Sequence, residues 1–406
     1  LKLYSFLLII TLCCVALQGT RPIVSLFADS QGASLTTVGM LVSAYAFFPM
    51  LMAVKVGKWL DRYGARRICL LGSTGMLVAI FIPILFPSLV SLFISQFLMG
   101  GCQVCVLVSL QKTVGNLPGN RDKLIAMFSL TGSIGEFIGP ILTGFSYEHF
   151  GFRVSFSVSA ALIGIALLIG LRIPAASWKS STAAEKIPMG KMSSSWTMLK
   201  DPNLRKALII SGLVLYSKDL FVAYFPIFGT SAGMSAGDVG ITLSLMASMA
   251  ILVRLFQFQL VQAFGRGKVL TTTLVISGLA FLCIPLTTLP VVFGLLALFL
   301  GAGLGLGQPL SLVYALNVSP PERQGEVLGM RLTFNRASQF ISPFLFGAVG
   351  RIAGVSSIFL FSGVVILLGA YFTRMHSSRK EQPLSEKDKD PVRVEDLAAG
   401  TQEKSI

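Results

Sequence analysis

Gly57-Lys58-Trp59-Leu60-Asp61-Arg62-Tyr63-Gly64-Ala65-Arg66-Arg67 is the stretch on which the fold turns. It separates two long apolar runs, and it crowds two glycines, an aspartate and four cations into a few residues. A polar segment this short between apolar runs of that length has room only to turn the chain back, so it reads as a hinge between two helices.

The runs on either side are part of a wider pattern. Of 406 residues, 53% are hydrophobic and 13% charged, with a mean hydropathy of +0.76. A soluble domain carries about 25% charged residues. The deficit, with 30 Phe and 40 Gly, is that of a bilayer protein, in which Gly lets helices approach closely. The net charge of +15 would suit nucleic acid in a soluble protein. Here the cations lie in the loops, so a nucleic-acid partner is not expected. Cys102 and Cys105 are one helical turn apart with no second pair at metal spacing, and His149 and His376 are far apart in sequence. No metal and no cofactor is expected. Nor is an enzyme: the chain has no phosphate-binding Gly-x-x-x-x-Gly-Lys loop and no plausible catalytic triad.

Crossing a bilayer takes about 20 apolar residues. Twelve segments qualify: Leu3–Gly19, Thr36–Val56, Ile68–Phe86, Leu89–Leu110, Leu124–Tyr147, Val154–Leu171, Ala207–Gly229, Val239–Ala263, Val269–Thr287, Pro290–Val318, Gly325–Gly350 and Val355–Thr373. The first lacks a basic leader and a cleavage site, so it reads as a retained span, with a few residues expected upstream of Leu1. With the N-terminus inside, the inner loops hold Lys58, Arg62, Arg66, Arg67, Lys112, Arg121, Lys123, Arg266, Lys268 and Arg323, and the central segment adds more. The outer loops hold Arg21, Arg153 and Arg351. This bias places both termini in the cytoplasm of a multi-pass protein of the cell (inner) membrane. The expected organisation is a six-helix half over residues 1–173, a cytoplasmic linker over 174–206, a second six-helix half over 207–374 and a disordered tail over 375–406.

The halves repeat one another. Phe137-Ile138-Gly139-Pro140-Ile141-Leu142-Thr143-Gly144 in span 5 matches Phe340-Ile341-Ser342-Pro343-Phe344-Leu345-Phe346-Gly347 in span 11. Phe97-Leu98-Met99-Gly100 matches Phe299-Leu300-Gly301-Ala302, and Pro118-Gly119-Asn120-Arg121 corresponds to Pro320-Pro321-Glu322-Arg323. The hinge loop has an echo in Phe264-Gly265-Arg266-Gly267-Lys268, with Gln262 where Asp61 stands.

The hinge resembles the signature loop between spans 2 and 3 of the major facilitator superfamily, roughly Gly-x-x-x-Asp-Arg-x-Gly-Arg-Arg, departing from it at Ala65. The resemblance covers Leu3 to about Thr373. It implies an all-α membrane protein of twelve transmembrane helices in two pseudo-symmetric six-helix bundles, working by alternating access. Gly135-x-x-x-Gly139-Pro140-x-x-x-Gly144 resembles the span-5 motif of the drug:proton antiporter branch, with Thr143 where a paired Gly is usual. Span 4 lacks the Arg of that branch and has Gln96 and Gln103. The resemblance assigns conformational gating to Gly57, Asp61, Arg62, Gly64, Arg66, Arg67, Gly135, Gly139, Pro140 and Gly144. Asp61 would dock against the partner half, near the start of span 11 at Gly325, and hold the outward-facing state.

Ionisable groups inside spans are costly and are functional candidates. Glu136, Lys218, Asp219 and Arg336 fall near the midplane, with Arg331 and Arg254 nearer the cytoplasm, while Arg21 reads as the outer end of span 1. Lys218 and Asp219 are neighbours, so their side chains diverge by about 100° and should not both face one cavity. Two readings are compatible: each acid pairs with an Arg of another span, and the surplus cations bind an anionic solute. Glu136 and Asp219 are the proton-coupling candidates, Glu136 first, with Gln339 as its neutral counterpart in the repeat. Lys218, Arg254, Arg331, Arg336, Asn335, Gln103, Tyr45, Tyr224 and Gln308 are the substrate-binding candidates. The expected function is proton-coupled export of an organic, anionic or amphipathic small molecule. Proton-coupled uptake of an organic anion and a transport-inactive receptor of the same fold are the competing readings. The expected partners are the small-molecule substrate, protons and membrane lipid, and a monomer is expected.

Overall fold

The computed structural model describes residues 2–118, 121–178, 201–317 and 324–372. Most of the linker (179–200), the tail from 373 onward, Arg323 and the matched loop segments 119–120 and 320–323 lie outside the described residues. What is described is helical: α1 (Lys2–Ser30), α2 (Leu35–Tyr63), α3 (Ala65–Leu85), α4 (Leu89–Gly115), α5 (residues 121–150), α6 (residues 152–172), α7 (Pro202–Ser231), α8 (Ala236–Leu255), α9 (Arg266–Cys283), α10 (Pro290–Asn317), α11 (Gln324–Ala353) and α12 (Val355–Phe372). A short helix, Gln257–Phe264, continues α8.

Several boundaries differ from the sequence reading; α2 runs to Tyr63 rather than Val56, so the segment read as a loop is helical except at Gly64. α1 runs to Ser30 rather than Gly19, because the helix continues through Arg21-Pro22 into the buried apolar run 23–28. α5 and α6 are joined by the single non-helical residue Gly151 (φ 77°, ψ −177°) and fold back on one another, Ser155 Oγ donating to Thr143 O (3.0 Å). α7 begins at Pro202, and ahead of it a short 3₁₀ turn, Ala175–Trp178, packs Trp178 edge-on against Phe6 with ring centroids 4.8 Å apart. Among the described residues ten helical stretches, counting the α5–α6 hairpin as one, are long and apolar enough to cross a membrane. α11 is not among them because its interior carries Arg331, Asn335, Arg336 and Gln339.

The repeat is written in the backbone. The left-handed glycines among the described residues fall in three pairs: Gly32 and Gly233, Gly64 and Gly265, Gly151 and Gly354. Gly64 (φ 85°, ψ 154°) and Gly265 (φ 79°, ψ 146°) adopt nearly the same conformation, which a side chain would strain. Ser34 and Ser235 cap α2 and α8 at equivalent positions. Pro140 and Pro343 sit inside α5 and α11, and Pro22 and Pro226 inside α1 and α7.

The halves meet along two broad seams, α2 on α11 and α5 on α8, with α1 on α7 between them. The seams are built alike. A Cβ on Gly39 would strike the Pro343 carbonyl, and one on Gly240 would strike the Pro140 carbonyl. Gly144 would meet Ala236 O at 2.6 Å, and Gly347 would meet Leu35 O at 2.6 Å. Ser43 Oγ donates to Phe340 O and Ser244 Oγ to Phe137 O, both at 2.6 Å. Close approach through small residues lets backbones pack and polar side chains bond across helices, the usual adhesive where lipid supplies no hydrophobic drive. The first seam has one addition: buried Tyr224 donates to Pro343 O (2.5 Å) with Leu35 O 3.3 Å away.

Candidate functional site

The seam contacts run from the ends of the helices farthest from the basic loops toward the middle of the bundle. Gly237 N–H donates to Glu148 (2.8 Å) at that far end. There α1 is buried on every side from Pro22 to Ala28, and α7 from Asp219 to Gly229 save half-buried Val222. Toward the basic end, half-buried polar positions appear: Gln18, Cys14 and Thr11 down α1, and Gln339, Arg336 and Arg331 down α11. Where dry packing gives way to this polar cleft, two ion pairs bridge the halves.

Arg21 on α1 pairs with Asp219 on α7 at 2.9 Å, their side chains 15% and 4% exposed. Gln339 Nε2 donates to the other Asp219 oxygen (2.7 Å), and Arg336 Nη1 donates to Gln339 Oε1 (2.9 Å). The Arg21 guanidinium lies 5.3 Å from the centroid of the Tyr45 ring, a cation–π contact. Lys218 pairs with Glu136 on α5 at 2.5 Å, with 26% and 23% exposure, and Gln18 Nε2 also donates to the same oxygen (3.1 Å). Adjacent residues of α7 therefore reach in different directions, Lys218 to α5 and Asp219 to α1 and α11. This matches the divergence expected of neighbours on a helix.

Asp219 pairs with an Arg of another span as expected, and Glu136 does not. Glu136 takes a Lys, not an Arg. Asp219 takes Arg21, which sequence reading had put at the outer end of span 1. The missed signal was the apolar run after Pro22, which keeps Arg21 well inside its helix.

Three further cations face neutral acceptors and form no ion pair among the described residues. Arg254 donates to Gly305 O (2.9 Å) and Ser133 Oγ (3.2 Å), reaching from α8 to α10 and across to α5. It sits in the last turn of α8, before a break at Phe256, rather than inside an unbroken span. Arg331 donates to the carbonyl (2.8 Å) and the side chain (2.6 Å) of Gln308. Gln308 in turn donates to Ser211 O (2.7 Å), and Ser211 donates to Asn335 Oδ1 (2.8 Å). Arg336 donates to Gln339 Oε1. Gln103 is half-buried on α4. Tyr45 and Tyr224, taken from sequence as cavity groups, are buried: Tyr45 lies under Arg21, and Tyr224 fills the α2–α11 crossing.

The gating candidates separate into three groups. Gly135 and Gly139 press on α1, where added Cβ atoms would meet Cys14 Cβ at 2.5 Å and Val15 O at 2.6 Å. Pro140 and Gly144 press on α8 in the other half. Thr143, the departure from the antiporter motif, donates to Gly19 O (2.8 Å) or Gly139 O (3.0 Å) and ties α5 to α1. In the hinge loop, Gly57 and Gly64 have open space around them. Asp61 bonds Lys112 of its own half at 2.6 Å, so the expected docking on the partner half is not made here. With the halves joined at their far ends, α4 is the nearer source of a counter-charge. Arg66 donates to Leu171 O (3.2 Å), Arg62 lies 5.3 Å from the Tyr63 ring centroid, and Arg67 is exposed.

Against known proteins, the sequence profile of the Major Facilitator Superfamily matches residues 6–258 and 256–400. Multidrug resistance protein 2 of Bacillus subtilis is 23% identical over 373 residues, covering 88% of this chain and 91% of that protein. Multidrug resistance protein MdtG of Klebsiella pneumoniae is 22% identical over 362 residues, covering 87% of each. Among solved structures, the nucleoside transporter NupG superposes with a TM-score of 0.78 at 14% identity, over 92% of this chain and 98% of that one. A POT family transporter in complex with 5-aminolevulinic acid gives 0.75 at 16%, over 91% and 94%.

Proposed function

The chain belongs to the major facilitator superfamily, and from that membership we propose a proton-coupled secondary transporter that exports organic small molecules of anionic or amphipathic character. It is a multi-pass membrane transporter and not an enzyme. The basic end is the cytoplasmic one on the loop-charge rule, so the described conformation is open to the cytoplasm and closed outside. Alternating access then means parting the two seams and closing the basic end, where Asp61 would leave Lys112 for the partner half. Export is favoured by likeness to proteins named for multidrug resistance.

The observation that carries the cargo class is the charge count in the cleft. Arg21, Lys218, Arg254, Arg331 and Arg336 meet Glu136 and Asp219, and Arg254, Arg331 and Arg336 have only neutral partners among the described residues. Guanidinium forks that are not already neutralised suit a carboxylate, sulfonate or phosphate. The test is ligand-induced thermal stabilisation of the purified protein with organic anions, cations and neutral amphiphiles at two pH values. A ligand selective for the native state at a hundredfold excess over its Kd should add about 2.7 kcal/mol. Anions are expected to stabilise, and Arg336→Gln to remove the effect. Stabilisation by lipophilic cations alone would show the arginines to be structural.

A further inference from the structure

We propose that a groove on the lipid-facing side of the α2–α11 seam binds an acyl chain of a membrane lipid, and that the bound chain holds the protein closed on the outside. The site needs nothing from the cargo reading. Its effect on the balance of states rests on alternating access.

The groove has a volume of about 540 Å³ and lies where α2, α4 and α11 meet. Phe47 of α2 stands between Phe97 of α4 and Phe340 of α11, with ring centroids 6.0 and 5.4 Å away. Met40, Ile341 and Phe344 also line it and are 42–47% exposed. Ile341 follows Gln339 by two residues, about 200° round α11, so it faces away from the polar cleft. The one polar side chain in the lining, Ser43, already donates to Phe340 O (2.6 Å).

The repeat shows why the space is there. The other seam carries Leu245 where this one has Ala44, Ser248 for Phe47 and Ile141 for Phe344. Leu245 reaches across to α10, its Cδ1 3.2 Å from where a Cβ on Gly294 would stand. Ala44 has no side chain to do the same toward α4, so a gap opens beneath the aromatic rings.

Depth decides what fills it. Met40–Phe47 lie about 8–18 Å below the outer end of α2, and Phe340–Phe344 about 14–20 Å below that of α11. In a hydrocarbon core about 30 Å thick, this is the outer leaflet down to the midplane, where headgroups do not reach. Water has no free polar partner there, and an apolar void excludes it. Left empty, the lining would lose dispersion contacts on one side. A hydrocarbon chain supplies them. The walls belong to different halves, α2 and α4 to the first and α11 to the second. A chain lying between them touches both only while the outer ends are joined. It therefore binds the described state in preference to the one in which the seam has parted, and shifts the balance toward it.

The experiment maps contact with a chain. Full-length protein is reconstituted in phosphatidylcholine carrying a mid-chain diazirine, illuminated, and its adducts located by mass spectrometry. Adducts should gather on Met40, Phe97 and Ile341 about tenfold over their counterparts Ile241, Phe299 and Ile138. Those counterparts are 39%, 57% and 42% exposed, so plain bilayer contact would label both seams alike. Ala44→Leu copies the other seam and Ala44→Phe fills the gap further; either should remove the excess. Gly39→Val, which forces α2 off the Pro343 carbonyl, should remove it too. Even labelling of the two seams, or an excess that survives both Ala44 variants, overturns the site. Protein–protein adducts at these residues overturn it in favour of a second copy of the chain, and an excess lost when phosphatidylglycerol carries the same acyl chain overturns it in favour of a headgroup. An excess that persists in folded Gly39→Val overturns the link to the closed state.

Discussion

Replacing Arg21 with Met should destabilise the protein far more than removing both members of its pair. The attraction between unit charges about 4 Å apart is about 4 kcal/mol at an effective dielectric of 20. Taking both ions out of water costs several kcal/mol each, so the net worth of a buried pair is near zero. These side chains are 15% and 4% exposed, which places them in that regime. Arg21→Met removes the attraction and leaves the desolvated Asp219 carboxylate with only the Gln339 amide. The expected cost is about 3–5 kcal/mol. Arg21→Met combined with Asp219→Leu removes the stranded charge as well and should return to within about 1–2 kcal/mol of the parent. The assay is the apparent melting temperature in detergent, or the half-life at fixed temperature where unfolding is irreversible. A single variant as stable as the parent, or a double variant as unstable as the summed singles, would refute the reasoning.

Asp61→Asn should leave stability within about 1 kcal/mol, because the Lys112–Asp61 side chains are 33% and 73% exposed and such pairs contribute little. Its effect should fall on the balance of states, seen as faster thiol labelling of Cys14 from the basic end. Gly240→Val should drive α5 and α8 apart at the Pro140 carbonyl, so crosslinking between Ser244→Cys and Phe137→Cys should fall sharply; an undiminished yield would mean that the seam tolerates the side chain.

Sequence reached the helices and the repeat, because hydropathy and duplicated motifs are local properties. It placed Lys218 and Asp219 on diverging faces for the same reason. It could not reach the partners. Arg21 was misjudged because Arg-Pro at the end of an apolar run looks like a helix terminus, although the buried run 23–28 carries the helix onward. Tyr224 looked like a cavity residue because nothing local says that α2 and α11 cross at its hydroxyl. Thr143 looked like a flaw in a motif until α1 supplied the carbonyl it donates to. The last two depend on residues more than a hundred positions away, and a single chain read in order carries no record of them.

The one-residue turns at Gly64, Gly151, Gly265 and Gly354 have a consequence for how the protein is made. Successive Cα atoms lie 3.8 Å apart, so helices joined this way have no slack with which one could wait in an aqueous channel while the other entered lipid. α2 with α3, α5 with α6, α8 with α9, and α11 with α12 must enter the bilayer as hairpins. That leaves α1, α4, α7 and α10 as the solitary insertions, and α1 and α7 carry Arg21, Lys218 and Asp219. Until α7 emerges, Arg21 stands in the bilayer without its counter-ion. The second half of the chain therefore serves as a late neutraliser for the first, and truncation before residue 219 should yield a product marked for degradation.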